Sequence, residues 1–221
     1  MTKAELDAPR PVRRRALRLI GWALMVGGLG VLSWLAWMTL ATNAGTRAAQ
    51  DDLLREWLRR TEETPVIAGA QAEAAPGAAG AGPIALMTFV RPPDQRLLHE
   101  QPLAVVEGVT DDDLAKGPGR YPGSALPGQA GNIAMAGHRT THAAPFAQID
   151  TLRPGDQIRL EDRDGKTWAY RVVEQRIVAP TDTSVIASDP LGNGKPTLTL
   201  TTCHPRFSNR QRLVVFAQLE S

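Results

Sequence analysis

The chain is poor in the residues from which many functional sites are built. Its 221 residues include one cysteine, Cys203, and four histidines. One cysteine cannot form a disulfide within the chain. The net charge of +2 is too small to predict a nucleic-acid-binding surface. No acidic cluster predicts a calcium site, since residues 111–113 are more simply the solvated start of a helix, and no internal repeat is visible. These absences leave few side chains to carry chemistry.

The basic residues are concentrated near the N-terminus, ahead of a long apolar run. Residues 10–18 include five arginines, and residues 19–41 include no charged residue. As a helix, this run spans about 35 Å, against about 30 Å of hydrocarbon in a bilayer. Trp34 and Trp37 lie toward one end of it, where interfacial indoles are common. The pattern predicts a cytoplasmic basic arm over residues 1–18 and a transmembrane helix over residues 19–41.

The arginines before the apolar run set its expected orientation. The positive-inside rule places the N-terminus in the cytoplasm and the C-terminal bulk outside, so we expect a single-pass protein of the cell membrane. A cleaved signal peptide is the alternative, because residues 41–45 offer small side chains for a cleavage site. Against it, the apolar run is longer than the usual 7–15 or so residues of a signal peptide.

Residues 42–83 are expected to connect the membrane span to the rest of the chain. Residues 48–60 have an amphipathic pattern, with apolar side chains between Leu53 and Leu58 at helical spacing. We expect a juxtamembrane stalk here, with a helix docked on the C-terminal domain as the alternative. Residues 64–83 are rich in Ala, Gly and Pro, a composition that cannot bury a core and therefore predicts a flexible linker.

From residue 84 onward, short strand patterns alternate with turn signals. The turns are marked by clusters of Gly, Pro, Asn and Asp, as in residues 153–156 and 162–165. A helical turn is predicted over residues 111–115, with Thr110 as its N-cap. Eight short strands favour a closed β-barrel, because closure removes exposed strand edges. The predicted strands are residues 84–90, 103–106, 132–136, 157–161, 167–173, 176–178, 197–202 and 213–219.

Cys203 is the strongest candidate for chemistry. It ends a β-prone run, residues 197–203, and is followed by His204 and Pro205. An isolated cysteine is usually a buried structural residue. On the outer side of a membrane, however, a free thiol can mispair or oxidise, which suggests that it is kept for a function. Nearby basic residues favour the thiolate, which is the reactive form. The sequence therefore predicts that Cys203 is a nucleophile.

Three blocks of sequence resemble the sortases, the cysteine transpeptidases of Gram-positive cell surfaces. The blocks are Asn-Ile-Ala-Met-Ala-Gly-His-Arg-Thr-Thr at residues 132–141, Thr-Leu-Thr-Thr-Cys-His-Pro at residues 199–205 and Arg-Leu-Val-Val-Phe-Ala at residues 212–217. The resemblance covers residues 84–219. Two longer stretches, residues 116–123 and 203–212, are similar to the class E sortases of actinobacteria.

The resemblance implies an all-β fold, a closed eight-stranded sortase-type barrel with short helices in its loops, over residues 84–221. It also implies the activity: cleavage of a C-terminal Leu-Pro-x-Thr-Gly or Leu-Ala-x-Thr-Gly sorting signal between Thr and Gly, through a thioester. An amine of a cell-wall (peptidoglycan) precursor would then accept the protein. The expected partners are secreted proteins with a sorting signal and that precursor. No cofactor, metal or nucleic acid is expected.

A histidine near the nucleophile would protonate the departing amine. His138 follows a predicted buried strand and one glycine, and it matches the sortase histidine. His142 could pair with His138 on a metal if the stretch were helical, but the threonines between them favour a loop, and no carboxylate or second cysteine completes a ligand set. His204 adjoins Cys203 but should point to the opposite face of the strand, which leaves secondary tuning open. His99 is expected on the solvated surface.

Arg212 is the expected oxyanion donor, since it precedes the last strand as the sortase arginine does. An arginine stays charged and offers several fixed donors to an oxyanion. Arg210 is its competitor. Thr202 is expected to orient the substrate, as the equivalent threonine lies in the site in the family, and Gly137 to allow close approach beside His138. Tyr121 is expected to line the substrate groove, with core packing as the alternative.

Two other functions stay open. Pilus-polymerising sortases often carry a lid with an Asp-Pro-Trp-like motif and a second C-terminal span, but the linker has no such motif and the chain stops at Ser221. The alternative from another class is an inactive surface-binding β-barrel module, against which the intact set of His, Cys and Arg speaks. Residues 90–99 are less regular than the usual first turn of the family, which leaves the first two strand boundaries open.

Overall fold

The computed structural model describes residues 11–63, 82–94, 96–97 and 101–220. The first ten residues, most of the predicted linker and His99 lie outside the described residues. The chain divides into two compact units, Met1–Ala41 and Thr42–Ser221, and each is described by itself.

Helix α1 runs from Pro11 to Glu63. The two helical stretches expected from the sequence are parts of this one helix. Residues 41–48 contain no proline, and the single Gly45 costs only about 1 kcal/mol in a helix. In the first unit, the apolar stretch is long enough to cross a membrane and is entirely exposed. Its exposed large side chains include Leu19, Trp22, Leu24, Leu32, Trp34 and Trp37.

The part of α1 in the second unit packs on the barrel. Trp57 is only 5% exposed, and its indole N–H lies 3.4 Å from a carboxylate oxygen of Glu161. Thr46 donates a hydrogen bond to the carbonyl of Ala115 at 2.8 Å. The sequence favoured a juxtamembrane stalk here, with a docked helix as the alternative, and the structure shows the docked helix. The amphipathic pattern predicted the helix but did not reveal the surface against which it packs.

Eight strands close into a barrel, as the sequence predicted. The strands are β1 (Ala85–Arg91), β2 (Arg96–Leu97), β3 (Leu103–Glu107), β4 (Gly119–Arg120), β5 (Asn132–Ala136), β6 (Gln157–Asp162), β7 (Thr167–Val178), β8 (Thr197–His204) and β9 (Gln211–Leu219). In spatial order the barrel runs β1-β3-β4-β5-β8-β9-β7-β6, and β1 pairs with β6 over six residues to complete the circle. The pairs β3–β4 and β5–β8 are parallel, and the others are antiparallel.

The eight barrel strands are not the same set as the eight predicted ones. Residues 167–173 and 176–178 form the single strand β7, in which a bulge between Val172 and Glu174 interrupts the alternation of side chains. The missing eighth strand is β4, which has two residues and therefore no periodic signal. In the irregular segment after β1, the short strand β2 pairs with the end of β1 and stays outside the barrel circle.

Three short helices lie in the loops that the structure describes. Helix α2 (Asp111–Leu114) begins at Thr110 with a capping box, in which Thr110 and Asp113 bond each other's backbone N–H groups, so the predicted N-cap is confirmed. Two 3₁₀ turns, Ile149–Thr151 and Thr183–Ile186, lie between β5 and β6 and between β7 and β8.

Both faces of the sheet are buried around β5, β8 and β9. The inward face contributes to the main core, which includes Ile133, Met135, Leu198, Leu200 and Val215. Alternate residues of the same strands point outward. Among them, Thr199 and Thr201 are buried, and Val214 and Phe216 pack with Val185 of the second 3₁₀ turn. Because Cys203 and Arg212 continue this outward set, the outer face positions the candidate site.

Candidate active site

The pairing of β8 with β9 sets Cys203 opposite Arg212. The two residues are direct partners in the antiparallel register. Side chains of directly opposed residues lie on the same face, with Cβ atoms about 5 Å apart. The free thiol of Cys203 is half-buried. The structure thus brings together two of the three residues that the sequence singled out.

The pairing of β5 with β8 brings His138 to the same place. The parallel register ends at Ala136 opposite Thr201. Beyond it, the amide of Gly137 still donates to the Thr201 carbonyl at 3.2 Å. Continuing the register by two residues puts His138 level with Cys203. Cys203 and Arg212 thus share the outer face on adjacent strands, and His138 lies in the loop two residues after the end of the strand beside them.

The imidazole of His138 lies in a partly dehydrated setting. Its Nε2 is buried and has no hydrogen-bond partner among the described residues. The ring stacks on His142, with centroids 4.5 Å apart and an interplanar angle of 23°. Burial lowers the pKa of His138 below its ordinary value, and the neighbouring His142 lowers it further. The resting site therefore favours the neutral imidazole, which can accept a proton.

The loop after His138 requires glycine at position 137. A Cβ atom there would lie 2.6 Å from Cδ2 of Phe146, a fully buried ring. The amide of Phe146 in turn donates to the carbonyl of His138 at 3.0 Å. Glycine at position 137 thus leaves room for the ring of Phe146, which gives a structural reason for the glycine beside His138.

No metal-binding group of three His, Cys, Asp or Glu side chains occurs within the described ranges. The residues between His138 and His142 form a loop, and His142, Ala143 and Ala144 have positive φ angles of 51°, 54° and 48°. The loop stacks the two imidazoles face to face. This is the loop conformation expected from the threonines that separate the two histidines.

Among the described residues, the guanidinium of Arg212 forms hydrogen bonds with neutral backbone carbonyls. Its Nη1 donates to the carbonyls of Asn209 at 3.0 Å and Gln211 at 3.1 Å. Within the described part of the chain, Arg212 forms no ion pair with a carboxylate. A cation held by its own loop beside a thiol can stabilise a developing oxyanion. The competitor Arg210 lies on an exposed loop.

Thr202 and Tyr121, both expected near the substrate, lie on different faces of the sheet. Thr202 is buried on the opposite face from Cys203, and its hydroxyl donates to the Gly137 carbonyl at 2.7 Å. Its neighbour Thr201 shares the face of Cys203, and the hydroxyl groups of Thr201 and Tyr121 lie 3.3 Å apart. The structure thus places Tyr121 next to the site, and Thr201 is a residue of that face which the sequence reasoning missed.

Arg139 is a second residue that the sequence reasoning missed. Its side chain is 4% exposed and pairs with Asp150 at 2.8 Å. The other arm of its guanidinium reaches the Nδ1 of His204 at 2.9 Å and the carbonyl of Cys203 at 3.3 Å. The only sequence signal was its position directly after His138.

Comparison with known proteins identifies the family. A family model described as a sortase domain matches residues 99–220. Sortase D of Bacillus subtilis is 42% identical over 103 residues, 47% of this chain and 48% of that protein. Sortase SrtE1 of Streptomyces coelicolor is 36% identical over 102 residues, 43% of this chain and 29% of that protein. The chain thus aligns with half or less of the length of these curated relatives.

A solved structure gives the same result. Sortase E1 from Streptomyces coelicolor, with a tripeptide in its active site, matches with a TM-score of 0.52 and 30% identity. The match covers 63% of this chain and 88% of that structure. The closed barrel, the arrangement of its strands and these matches agree, and the chain belongs to the sortase family, as a class E-like sortase.

Proposed function

We propose that the protein is a cysteine transpeptidase that cleaves a C-terminal sorting signal of the Leu-Pro-x-Thr-Gly or Leu-Ala-x-Thr-Gly type between Thr and Gly. It then joins the protein to an amine of a cell-wall precursor. The observation that carries this proposal is the strand register, which pairs Cys203 with Arg212 and ends at Ala136, two residues before His138. The tripeptide in the active site of the Streptomyces coelicolor relative supports a peptide substrate.

In the first half of the reaction, the Cys203 thiolate attacks the Thr carbonyl of the signal. The carbonyl oxygen becomes an oxyanion, which the Arg212 guanidinium stabilises with fixed donors. The bond between Thr and Gly then breaks, and protonated His138 gives its proton to the leaving amine. The products are a thioester on Cys203 and a released peptide that begins with glycine.

In the second half, the acceptor amine attacks the thioester carbonyl. Neutral His138 takes the proton that the amine loses, and Arg212 again holds the oxyanion. The carbon–sulfur bond breaks, and Cys203 leaves as a thiolate. The lowered pKa of His138 fits this alternation, because the residue must accept a proton in one half and donate it in the other.

The exposed apolar stretch of α1 supports anchoring of the protein in the cell membrane. In the proposed arrangement, residues 1–18 lie in the cytoplasm and residues 19–41 span the bilayer. The barrel, residues 84–221, lies outside and carries the catalytic groups. This orientation follows from the five arginines before the span, and it places the thiol where secreted proteins with sorting signals pass.

The test uses the full chain in detergent micelles, with fluorogenic peptides that carry each of the two signals. A short glycine peptide serves as the acceptor. We expect cleavage between Thr and Gly, and mass spectrometry should detect a thioester on Cys203. Cys203→Ala should abolish cleavage. His138→Ala and Arg212→Ala should lower kcat about 10²-fold or more, as for a general acid and an oxyanion donor.

The matched control is Arg171→Ala. Arg171 lies on β7, away from the site, where its half-exposed side chain pairs with Glu220, and its loss should leave kcat unchanged. Cleavage by the Cys203→Ala variant would remove the thioester mechanism. A wild-type protein that cleaves neither peptide, and whose thiol resists a substrate-like alkylating reagent, would favour the inactive binding module instead.

A further inference from the structure

The guanidinium of Arg139 is a buried charge directly beside the candidate site. Its side chain is 4% exposed, and only its partner Asp150, at 41%, reaches solvent. A buried charge carries a large desolvation cost unless it is paired and hydrogen-bonded. The pair with Asp150 uses one arm of the guanidinium, so the position of the other arm shows what the buried group does.

The second arm of Arg139 reaches the end of β8. Its Nη1 lies 2.9 Å from the Nδ1 of His204 and 3.3 Å from the carbonyl oxygen of Cys203. A guanidinium can only donate, so the Nδ1 of His204 must accept. His204 is therefore neutral in this arrangement, with its proton on Nε2.

This contact lies where the sheet no longer holds the two catalytic segments together. Strands β5 and β8 are paired as far as Ala136 and Thr201, and two further bonds tie Gly137 to Thr201 and to Thr202. Past that point, within the part of the chain that the structure describes, the contacts of Arg139 join the loop at His138 to residues 203–204 at the end of β8.

We propose that Arg139 is the positioning residue of the acyl transfer, which holds the Cys203 end of β8 at a fixed distance from His138. Asp150 anchors the guanidinium from the far side, and His204 and the Cys203 carbonyl receive it. Arg139 touches no reacting atom and acts through these groups. The proposal rests on the proposed function. A displacement of about 1 Å between reacting groups can cost on the order of 10²-fold in rate.

The planar fork is the feature that matters, because it joins two partners in opposite directions. Arg139→Lys keeps the charge but offers one compact donor, which cannot span Asp150 and His204 together. Arg139→Met removes the charge and keeps most of the volume. We expect both variants to lower kcat for the sorting-signal peptide by 10-fold to 100-fold, with KM changed by less than about 3-fold, since a positioning defect acts in the transition state.

Two further measurements separate positioning from a general loss of structure. In ¹⁵N NMR spectra of the wild type, His204 should show one acceptor-type Nδ1 and one protonated Nε2. Both Arg139 variants should convert this pattern to a tautomer mixture. In a double-mutant cycle, His204→Ala should cost much less in the Arg139→Met background than in the wild type, because the contact is already lost there. Arg171→Met, the loss of an exposed arginine from an ion pair, is the control and should change neither readout.

The proposal is overturned if folded Arg139→Met, with the wild-type circular dichroism spectrum, retains wild-type kcat, or if the loss appears in KM alone. An unfolded Arg139→Met leaves the decision to Arg139→Lys, for which the same outcomes count. If the wild type cleaves neither peptide, the proposed function fails. The NMR tautomer and the alkylation rate of Cys203 in the Arg139 variants then still decide whether Arg139 fixes the end of β8.

Discussion

At the scale of single residues, the stacked pair of imidazoles sets the protonation of the site. Burial and then the neighbouring His142 lower the pKa of His138. A protonated His142 raises the cost of a second positive charge 4.5 Å away. The lowered pKa of His138 favours its neutral form near neutral pH. In the proposed mechanism, the leaving amine takes its proton from the less populated cationic form.

We predict that His142→Gln raises the pKa of His138 toward its ordinary value of about 6.5. The change removes the neighbouring charge, so the cationic form of His138 becomes easier to reach. As a result, the loss of activity with rising pH should shift to higher pH. The chain has four histidines, so ¹³Cε1-labelled NMR titration can follow each ring.

The control for this prediction is Thr141→Ser, a change at an exposed position of the same loop, which should leave the titration of His138 as it is. An unchanged or lower pKa of His138 in His142→Gln would show that burial alone governs the ring. In that case the stacked histidine would have another use.

The sequence predicted the residues whose chemistry is unusual and missed those whose role depends on the direction in which the side chain points. A lone cysteine at the end of a strand, a histidine after a strand and an arginine before one are visible as a pattern. The contacts of Arg139 with Asp150 and His204 depend on where a loop returns, and no spacing encodes that. The exchange of Thr202 for Thr201 has another cause. Strand alternation already puts Thr201 on the face of Cys203, but the choice of Thr202 rested on the family resemblance.

At the scale of elements, polar side chains of α1 dock the helix onto the barrel. Gln50 makes three hydrogen bonds: its amide donates to the carbonyls of Ala104 and Lys116 at 3.0 and 2.7 Å, and its oxygen accepts from the Ala104 amide at 2.9 Å. It acts as a strand partner for β3, just before β4 begins to pair at Val106. The apolar pattern predicted the helix, but these anchors are polar and left no periodic signal.

We predict that Gln50→Ala lowers the free energy of unfolding by about 1–3 kcal/mol, because it leaves the buried backbone groups of Ala104 unpaired. The measurement is urea unfolding of the full chain in detergent micelles. Arg55→Ala, on the same helix and 69% exposed in its side chain, is the matched control and should change stability by less than about 0.5 kcal/mol. Equal stability of the two variants would mean that the docked helix adds nothing to the barrel.

At the scale of the whole molecule, the barrel closes at the seam between β1 and β6, the first and sixth strands in the sequence. The predicted number of barrel strands was right because the division of β7 into two strands offset the missed β4. The closing partner could not be predicted, because pairing between distant strands depends on the complete circle. At this seam, the guanidinium of Arg91 donates two hydrogen bonds, of 2.8 and 2.7 Å, to the carboxylate of Asp156. The amide of Arg153 donates a third, at 2.9 Å.

Because of this pair, the free energy of unfolding of the barrel should fall at acidic pH. Hydrogen bonding to Arg91 lowers the pKa of Asp156, so its folded value lies below the unfolded value of about 3.9. The stabilisation is therefore fully present above about pH 3.9 and is lost as the pH falls through the folded pKa.

We predict that Asp156→Asn lowers the free energy of unfolding by about 2 kcal/mol at pH 7, the scale of a charged hydrogen bond. The gap to the wild type should narrow at pH 3, as followed by urea unfolding at both pH values. Asp52→Asn, which breaks an exposed pair with Arg55, should change little at either pH. A gap of the same size at both pH values would assign the effect of Asp156→Asn to packing, and the seam would then owe nothing to charge.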